Sequence, residues 1–355
     1  MATIYDVAKK AGVSPKTVSR VINGSRHVRE ETKNKVLEAI RELDYYPHAI
    51  AKSLKKKITR NVGYVVPYGS DFVFRDPGQL EQLKGAHNVL TGEDYNLILS
   101  VPNNGREALF EVNRLLKHRE VDGLILYAME GVETLAKDFE EKGLPYVSLG
   151  KCYPEQEYNF VEIDSPSGGY LATKYLLSLG HRRIGFITEP ARFLAPAKES
   201  MIMGCMKAYA EEGLEFPHHL VLEGDYTVSF AEQATGWFLS KDPRPTALFC
   251  ASDPMAWGLM RGLRKKGLTP GVEIDLLAGD DLPFTRVLEP ELSAVNSRLH
   301  ELGAEAAEML LVILRKKQET GTRTKIPGRY LRSELVIRGT TTGRSVQRET
   351  AGFHR

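Results

Sequence analysis

Lys16 and Arg20 stand one helical turn apart, with Ser14, Pro15, Thr17 and Ser19 around them. Two cations and three hydroxyls on one helical face can hydrogen-bond to base edges and phosphates, a lysine or arginine serving guanine acceptors and a hydroxyl serving either partner. No comparable cluster points to catalysis. The nine histidines form no H-x-x-x-H pair, no G-x-G-x-x-G follows a strand pattern, and no Walker loop or nucleophile elbow is present. His181 lies near a strand start and His218-His219 in a loop, both more simply structural or solvated. Cys152, Cys205 and Cys250 are scattered without metal spacing and read as buried small hydrophobes in a reducing compartment. Neither enzymatic activity nor a metal or cofactor is expected.

The elements around Lys16 and Arg20 explain how they are presented. Ile4, Val7, Ala8 and Ala11 form one apolar stripe of a helix that opens on Thr3 and Asp6 at capping-box spacing and ends at Gly12. Ser14 can cap a second helix. Pro15 sits at its first position, where the missing N–H costs nothing, and Val18, Val21 and Ile22 supply its buried face. Two helices joined by a tight glycine-containing turn predict a helix-turn-helix, which enters the major groove with the N-terminus of its second helix. A third helix, with Val36, Leu37, Ile40 and Leu43, closes a small core. Charge agrees with this reading: in residues 1–60, fourteen lysines and arginines against six carboxylates give +8, whereas the whole chain totals +2, so the other 295 residues sum to −6. A small DNA-reading head on an acidic body is expected.

Three runs then make a specific resemblance. Thr3-Ile4-Tyr5-Asp6-Val7-Ala8 with Ala11-Gly12-Val13-Ser14, Thr17-Val18-Ser19-Arg20-Val21-Ile22-Asn23, and Tyr45-Tyr46-Pro47-His48-Ala49-Ile50-Ala51-Lys52-Ser53-Leu54 resemble the head and hinge of the lactose/galactose-repressor family. The resemblance implies DNA contacts from Thr3, Tyr5, Ser14, Pro15, Lys16, Thr17, Ser19, Arg20, Asn23, His27, Leu54 and Lys55. The stretch 47–54 is too short to be a stable helix alone in water, and Lys55-Lys56-Lys57 adds repulsion. It is expected to order on DNA, with Leu54 as the intercalating leucine of the family's hinge. A flexible lysine-rich linker is the plainer alternative.

About 280 residues follow, with no apolar run near the roughly 18 needed to span a bilayer. Short apolar runs alternate with helical patterns. Strands are predicted at Val62–Val66, Tyr95–Leu99, Gly123–Tyr127, Tyr146–Leu149, Ile184–Thr188, Leu220–Leu222, Ala247–Cys250 and Asp275–Leu277, with amphipathic helices between them. The fold class is therefore α/β: an all-α helix-turn-helix head on two lobes of doubly wound parallel sheet, resembling a type I periplasmic-binding-protein core. Expected boundaries are 1–46 for the head, 47–60 for the hinge, 61–161 plus 296–320 for the first lobe, 162–295 plus 321–338 for the second, and 339–355 for a disordered tail.

The body carries further family-like runs: Val161-Glu162-Ile163-Asp164, Gly168-Gly169-Tyr170-Leu171-Ala172, Gly180-His181-Arg182-Arg183-Ile184-Gly185 and Pro245-Thr246-Ala247-Leu248-Phe249-Cys250-Ala251-Ser252-Asp253. In parallel sheets ligands bind beyond the carboxyl ends of strands. The resemblance implies effector contacts from Phe74, Gly150, Phe193, Met201, Tyr226, Ser252, Asp253, Asp280 and Leu299. Asp280 would accept hydroxyls or cap a loop, Tyr226 would lie against a ring or in the core, and Asp253 would line the site or cap the helix that follows it. Departures from the family pattern are informative. Met201 replaces an arginine three residues before Gly204, Gly150-Lys151 stands where a strand often ends in aspartate, and Gly78-Gln79 replaces an aromatic pair. Phe72, Phe74 and Phe193 are available to make up the lost aromatics.

These features imply a transcriptional regulator, read as a repressor of carbohydrate-metabolism genes, that binds a palindromic operator as a homodimer in the cytoplasm under control of a sugar-like effector. One head reads only a half-site, which is why a dimer is expected, with the helices near 80–90 and 298–314 as dimer surfaces. Control by a non-sugar metabolite or by a protein co-effector is the alternative. A two-lobed solute-binding protein would need export, which the basic head and the lack of a signal sequence argue against.

Overall fold

A computed structural model describes residues 2–22, 28–45, 58–128, 131–190, 200–344 and 346, in two compact units divided between Thr59 and Arg60. Asn23, His27, Phe193 and the hinge with Leu54 and Lys55 lie outside the described residues.

The first unit is built from α1 (Ile4–Ala11), α2 (Pro15–Ile22) and α3 (Glu30–Glu42). Thr3 and Asp6 make the full capping box: the Asp6 carboxylate accepts from the Thr3 N–H at 2.8 Å, and the Asp6 N–H donates to Thr3 Oγ1 at 3.3 Å. Gly12 turns the chain in the left-handed region at φ 67°, where a side chain is disfavoured. Ser14 Oγ then accepts the Thr17 N–H at 3.2 Å at the head of α2. Val7, Val18 and Val36, one from each helix, are fully buried together.

The second unit holds two six-stranded sheets. In the first, the strands are β1 (Asn61–Val65), β2 (Asn96–Ser100), β3 (Gly123–Tyr127), β4 (Tyr146–Leu149), β5 (Phe160–Ile163) and β11 (Arg329–Leu331), in the order β11-β5-β4-β3-β1-β2 and parallel throughout. In the second they are β6 (Ile184–Thr188), β7 (Val221–Glu223), β8 (Ala247–Cys250), β9 (Asp275–Ala278), β10 (Ser293–Asn296) and β12 (Glu334–Val336), ordered β12-β10-β9-β8-β6-β7 with only β12 antiparallel. Helices cover both faces: among them α4 (Ser70–Val73), α5 (Pro77–Gly92), α6 (Gly105–Lys117), α7 (Val132–Lys142), α8 (Ser165–Ser178), α9 (Met201–Glu211), α10 (Val228–Leu239), α11 (Asp253–Lys265) and α12 (Leu299–Thr320). Burial on both faces explains the near-continuous apolar runs of β3 and β8.

Among the helix pairs that pack closely enough to need glycine, two stand beside the inner ends of the sheets. A Cβ on Gly85 of α5 would overlap the His300 carbonyl of α12, and one on Gly303 would overlap the Gln82 carbonyl; Gly169 and Gly204 make the same reciprocal contact between α8 and α9. These approaches hold the N-termini of α12 and α9, with Leu299 and Met201, against the inner ends of the sheets.

Three expectations are corrected. Residues 329–331 pair with β5 in the first sheet, although 321–338 was expected in the second lobe. Residues 340–343 are tied down: Thr340 Oγ1 accepts the Ser293 N–H at 2.8 Å and donates to the Leu276 carbonyl at 2.7 Å, and the Gly343 N–H donates to Asp275 at 2.8 Å. This polar segment is buried because its backbone and hydroxyls bond the starts of β9 and β10, so the expected disordered tail does not begin at 339. The strand expected at Leu220–Leu222 begins at Val221, after a 3-10 turn over His218–Leu220.

Candidate functional site

The head offers one polar face. Thr3, Tyr5, Ser14, Lys16 and Arg20 are exposed, while Pro15, Thr17 and Ser19 are half-buried. Among the described residues neither Lys16 nor Arg20 forms an ion pair, whereas Lys10 pairs with Glu42, Lys33 with Glu30 and Lys35 with Glu31. The cations of α2 are thus left for an external anion, and those of the supporting helices are partly neutralised.

In the body, the carboxyl ends of both sheets meet at a cavity of about 160 Å³ that opens into a wider mouth of about 1060 Å³. Gly150 follows β4, Glu162 lies next to the end of β5, Glu189 follows β6, Tyr226 follows β7, Asp280 follows β9 and Ser297 follows β10; all line the cavity, with Leu299 and Met201 from the starts of α12 and α9. An aromatic chain spans the lobes. Tyr127 meets Tyr68 at a centroid distance of 5.4 Å, Tyr68 meets Phe72 at 5.8 Å, and Phe72 meets Tyr226 at 5.6 Å. Tyr226 holds φ 64°, a conformation uncommon outside glycine and characteristic of constrained sites. The Tyr127 hydroxyl contacts the amide oxygens of both Gln79 and Gln82. Since one phenol proton serves only one of them, one amide must turn its NH₂ toward the phenol.

The cavity wall is acidic. Asp76, Glu162, Glu189 and Asp280 contribute carboxylates, and among the described residues no lysine or arginine lines it. Burial, then the charges of Asp253 and Asp76, push the Asp280 carboxyl well above the usual range, and burial raises Asp76 as well. Tyr226 is raised by burial and by the charges of Glu189, Asp280 and Asp76, so these three groups surround one ring. No trio of His, Cys, Asp or Glu among the described residues is close enough to hold a metal ion.

Family models match both units: residues 3–48 match the lacI family of bacterial regulatory proteins, and 173–341 a periplasmic binding protein-like domain. The HTH-type transcriptional repressor PurR of Vibrio cholerae is 34% identical over 320 residues, covering 90% of this chain and 93% of its own. The chain belongs to the LacI family. The ribose operon repressor of Haemophilus influenzae is 33% identical, over 90% of this chain and 94% of that one. A solved lac repressor dimer, bound to operator and the anti-inducer ONPF, superposes with a TM-score of 0.82 at 26% identity, covering 96% of this chain and 99% of that one. This LacI-family chain is therefore a DNA-binding transcriptional repressor, and its relatives are repressors rather than enzymes. No helix among the described residues is long and apolar enough to cross a membrane.

Five of the residues expected at the LacI-family effector site, Gly150, Met201, Tyr226, Asp280 and Leu299, line the cavity. Three do not. Phe74 is 58% exposed and absent from the wall, because α4 ends there and turns its neighbour Phe72 inward instead. Ser252 caps α11 through the Met255 N–H, and Asp253 is fully buried, accepting the N–H of Asp280 at 3.1 Å and of Leu282 at 2.6 Å. Asp253 thus builds the loop that carries Asp280. Tyr68, Gln79, Gln82, Glu162 and Glu189 were not expected as wall residues. Tyr68 and Glu189 stand one to three residues beyond a strand, Glu162 near the end of β5, and Gln79 and Gln82 in the first two turns of α5, and that position was the available signal.

Proposed function

We propose that this repressor binds a palindromic operator as a homodimer through α2 of each head, controls genes of carbohydrate metabolism, and changes its operator affinity when a small effector occupies the interlobe cavity. The observation that carries the effector reading is the cavity wall itself, drawn from both sheets and bridged by Phe72 of the first lobe against Tyr226 of the second. A ligand bound there touches both lobes, so its binding energy depends on how they are arranged; that differential affinity, typically about 1–3 kcal/mol, is all that can be passed to DNA binding. The ribose operon repressor among the relatives supports a sugar. Met201, half-buried in the wall where the resemblance implied arginine, favours as the second reading a non-sugar metabolite.

The test is selection of operator sequences from random duplex DNA by the full chain, followed by affinity titration with and without sugars, nucleobases and sugar phosphates. A two-fold symmetric consensus and a ligand that shifts its affinity are expected. Asp280→Ala should remove that shift. An asymmetric consensus bound one chain at a time would overturn the dimer, and operator affinity indifferent to every small molecule would favour a protein co-effector.

A further inference from the structure

An enclosed site with several carboxylates must keep protons, hold counter-ions, or receive a positive ligand, because like charges sharing a low-dielectric space raise one another's energy. Among the described residues, Asp76, Glu189 and Asp280 make no ion pair, and no lysine or arginine lines the cavity they share. Asp76 accepts the Gly78 N–H at 3.3 Å and the Gln79 N–H, and Glu189 accepts the Ser200 hydroxyl at 3.4 Å. A second observation is independent of charge. Ser333 lines the same cavity, is 7% exposed, and its Oγ has no hydrogen-bond partner among the described residues. A buried hydroxyl left unmet is costly, and a polar ligand would recover that cost.

The remaining wall narrows the kind of cation. The carboxylates are too dispersed to clamp a metal ion. Tyr68, Phe72 and Tyr226 instead set aromatic rings in the wall, where a charged nitrogen is attracted by their π-systems, and Met201 adds a soft, polarizable surface where an arginine would have repelled a cation. The mouth repeats the sign: Asp71, Asp76, Asp225 and Glu232 line it against Arg75 and Arg261, and Arg261 is already paired with Glu232 at 2.8 Å. Such a funnel draws cations inward.

We infer that the effector of this repressor carries a protonated amine, held by Asp280 in the field of Asp76 and Glu189 and beside the aromatic chain. The inference rests on reading the cavity as the effector site. An amino sugar and a short alkyl diamine both present this chemistry.

Matched pairs separate these sources and test the charge. The full chain would be titrated by calorimetry and thermal shift with glucosamine, glucose and N-acetylglucosamine, and with 1,4-diaminobutane and 1,4-butanediol. One amine should bind at least about tenfold more tightly than its neutral partners, since a charge-assisted bond to a desolvated carboxylate is lost in each of them. The sugar arm or the linear arm identifies the frame. Asp280→Asn should remove the preference for the amine. If that variant does not fold, Met201→Arg places a cation in the same wall and should weaken the amine by about tenfold or more while sparing a neutral ligand. A neutral member that binds as well as its amine overturns the inference but leaves effector control of the repressor standing. Binding by none of the amines overturns it too, whereas failure of every small molecule to alter operator affinity removes the effector site itself.

Discussion

At the residue scale, position within the secondary structure decides what each charged side chain does. Lys16 lies at the start of α2 with no ion pair among the described residues, so its ammonium is available to guanine acceptors. Lys16→Ala should change base preference at one position of each half-site by about 1–3 kcal/mol, read by comparing affinities across single-base operator variants; equal weakening on all of them would assign Lys16 to phosphate. Asp253 shows the opposite fate. Burial pushes its carboxyl up to about 7, against an ordinary value of 3.8. The folded protein then holds this proton more tightly than the unfolded chain, so the stabilisation is complete below about pH 4 and is lost as pH rises through about 7. Asp76 and Asp280 lean the same way. The melting temperature should therefore fall between about pH 5 and about pH 8. Asp253→Asn should flatten that fall while lowering stability by about 1–3 kcal/mol at the acid end, because the Asp280 and Leu282 N–H groups go to different carboxylate oxygens and the amide NH₂ would face one of them donor to donor. An unchanged slope would place the titration elsewhere.

Among the elements, the sharpest constraint is close helix packing. Gly85 and Gly303 let α5 and α12 approach until backbone meets backbone. Gly85→Ala drives a methyl into the His300 carbonyl, which neither rigid helix can yield, and should cost roughly 1–3 kcal/mol in chemical denaturation of the body. The same strain sits beside Leu299 at the cavity wall, so effector affinity should fall with stability. Gly92→Ala, on the same helix with nothing within 4 Å of its added Cβ, is the control and should be nearly neutral. A similar cost at both positions would mean that propensity, and not packing, set the effect. In the head, the capping box makes α1 start at Thr3. Thr3→Ala should weaken the head by about 1 kcal/mol, measurable as reduced operator affinity with the melting of the body unchanged.

For the whole molecule, charge is divided by task, with +8 on residues 1–60 and −6 on the rest. Operator binding should consequently be steeply salt-dependent, log Kd changing linearly with log salt and each neutralised phosphate adding about 0.9 to the slope. Arg20→Ala should reduce that slope by about one per head if it contacts phosphate, and leave it intact if it reads a base. The acidic body repels DNA and suits a cavity that attracts cations, so exchanging the heads of two relatives should transfer operator choice without transferring effector choice.

The sequence alone determined the head, because its cap, turn and apolar periodicity are local signals in which Thr3, Asp6, Gly12, Ser14 and Val18 each act within a few residues. It also determined the alternation of strands and helices, since strands buried on both faces must be apolar throughout. Only the tertiary structure decided which sheet takes residues 329–331, because a three-residue strand has no pattern of its own and its register is set by β5. Burial of Thr340 and Gly343 was equally illegible: their partners, Ser293, Leu276 and Asp275, are distant in sequence, and a polar segment looks solvated until those hydrogen bonds exist. At the cavity, resemblance and position at strand ends found Asp280, Tyr226, Gly150, Met201 and Leu299. What gathered Glu162, Glu189, Tyr68 and Asp76 with them was the meeting of two sheets at their carboxyl ends, a long-range event that gives four carboxylates one shared field and no local mark in the chain.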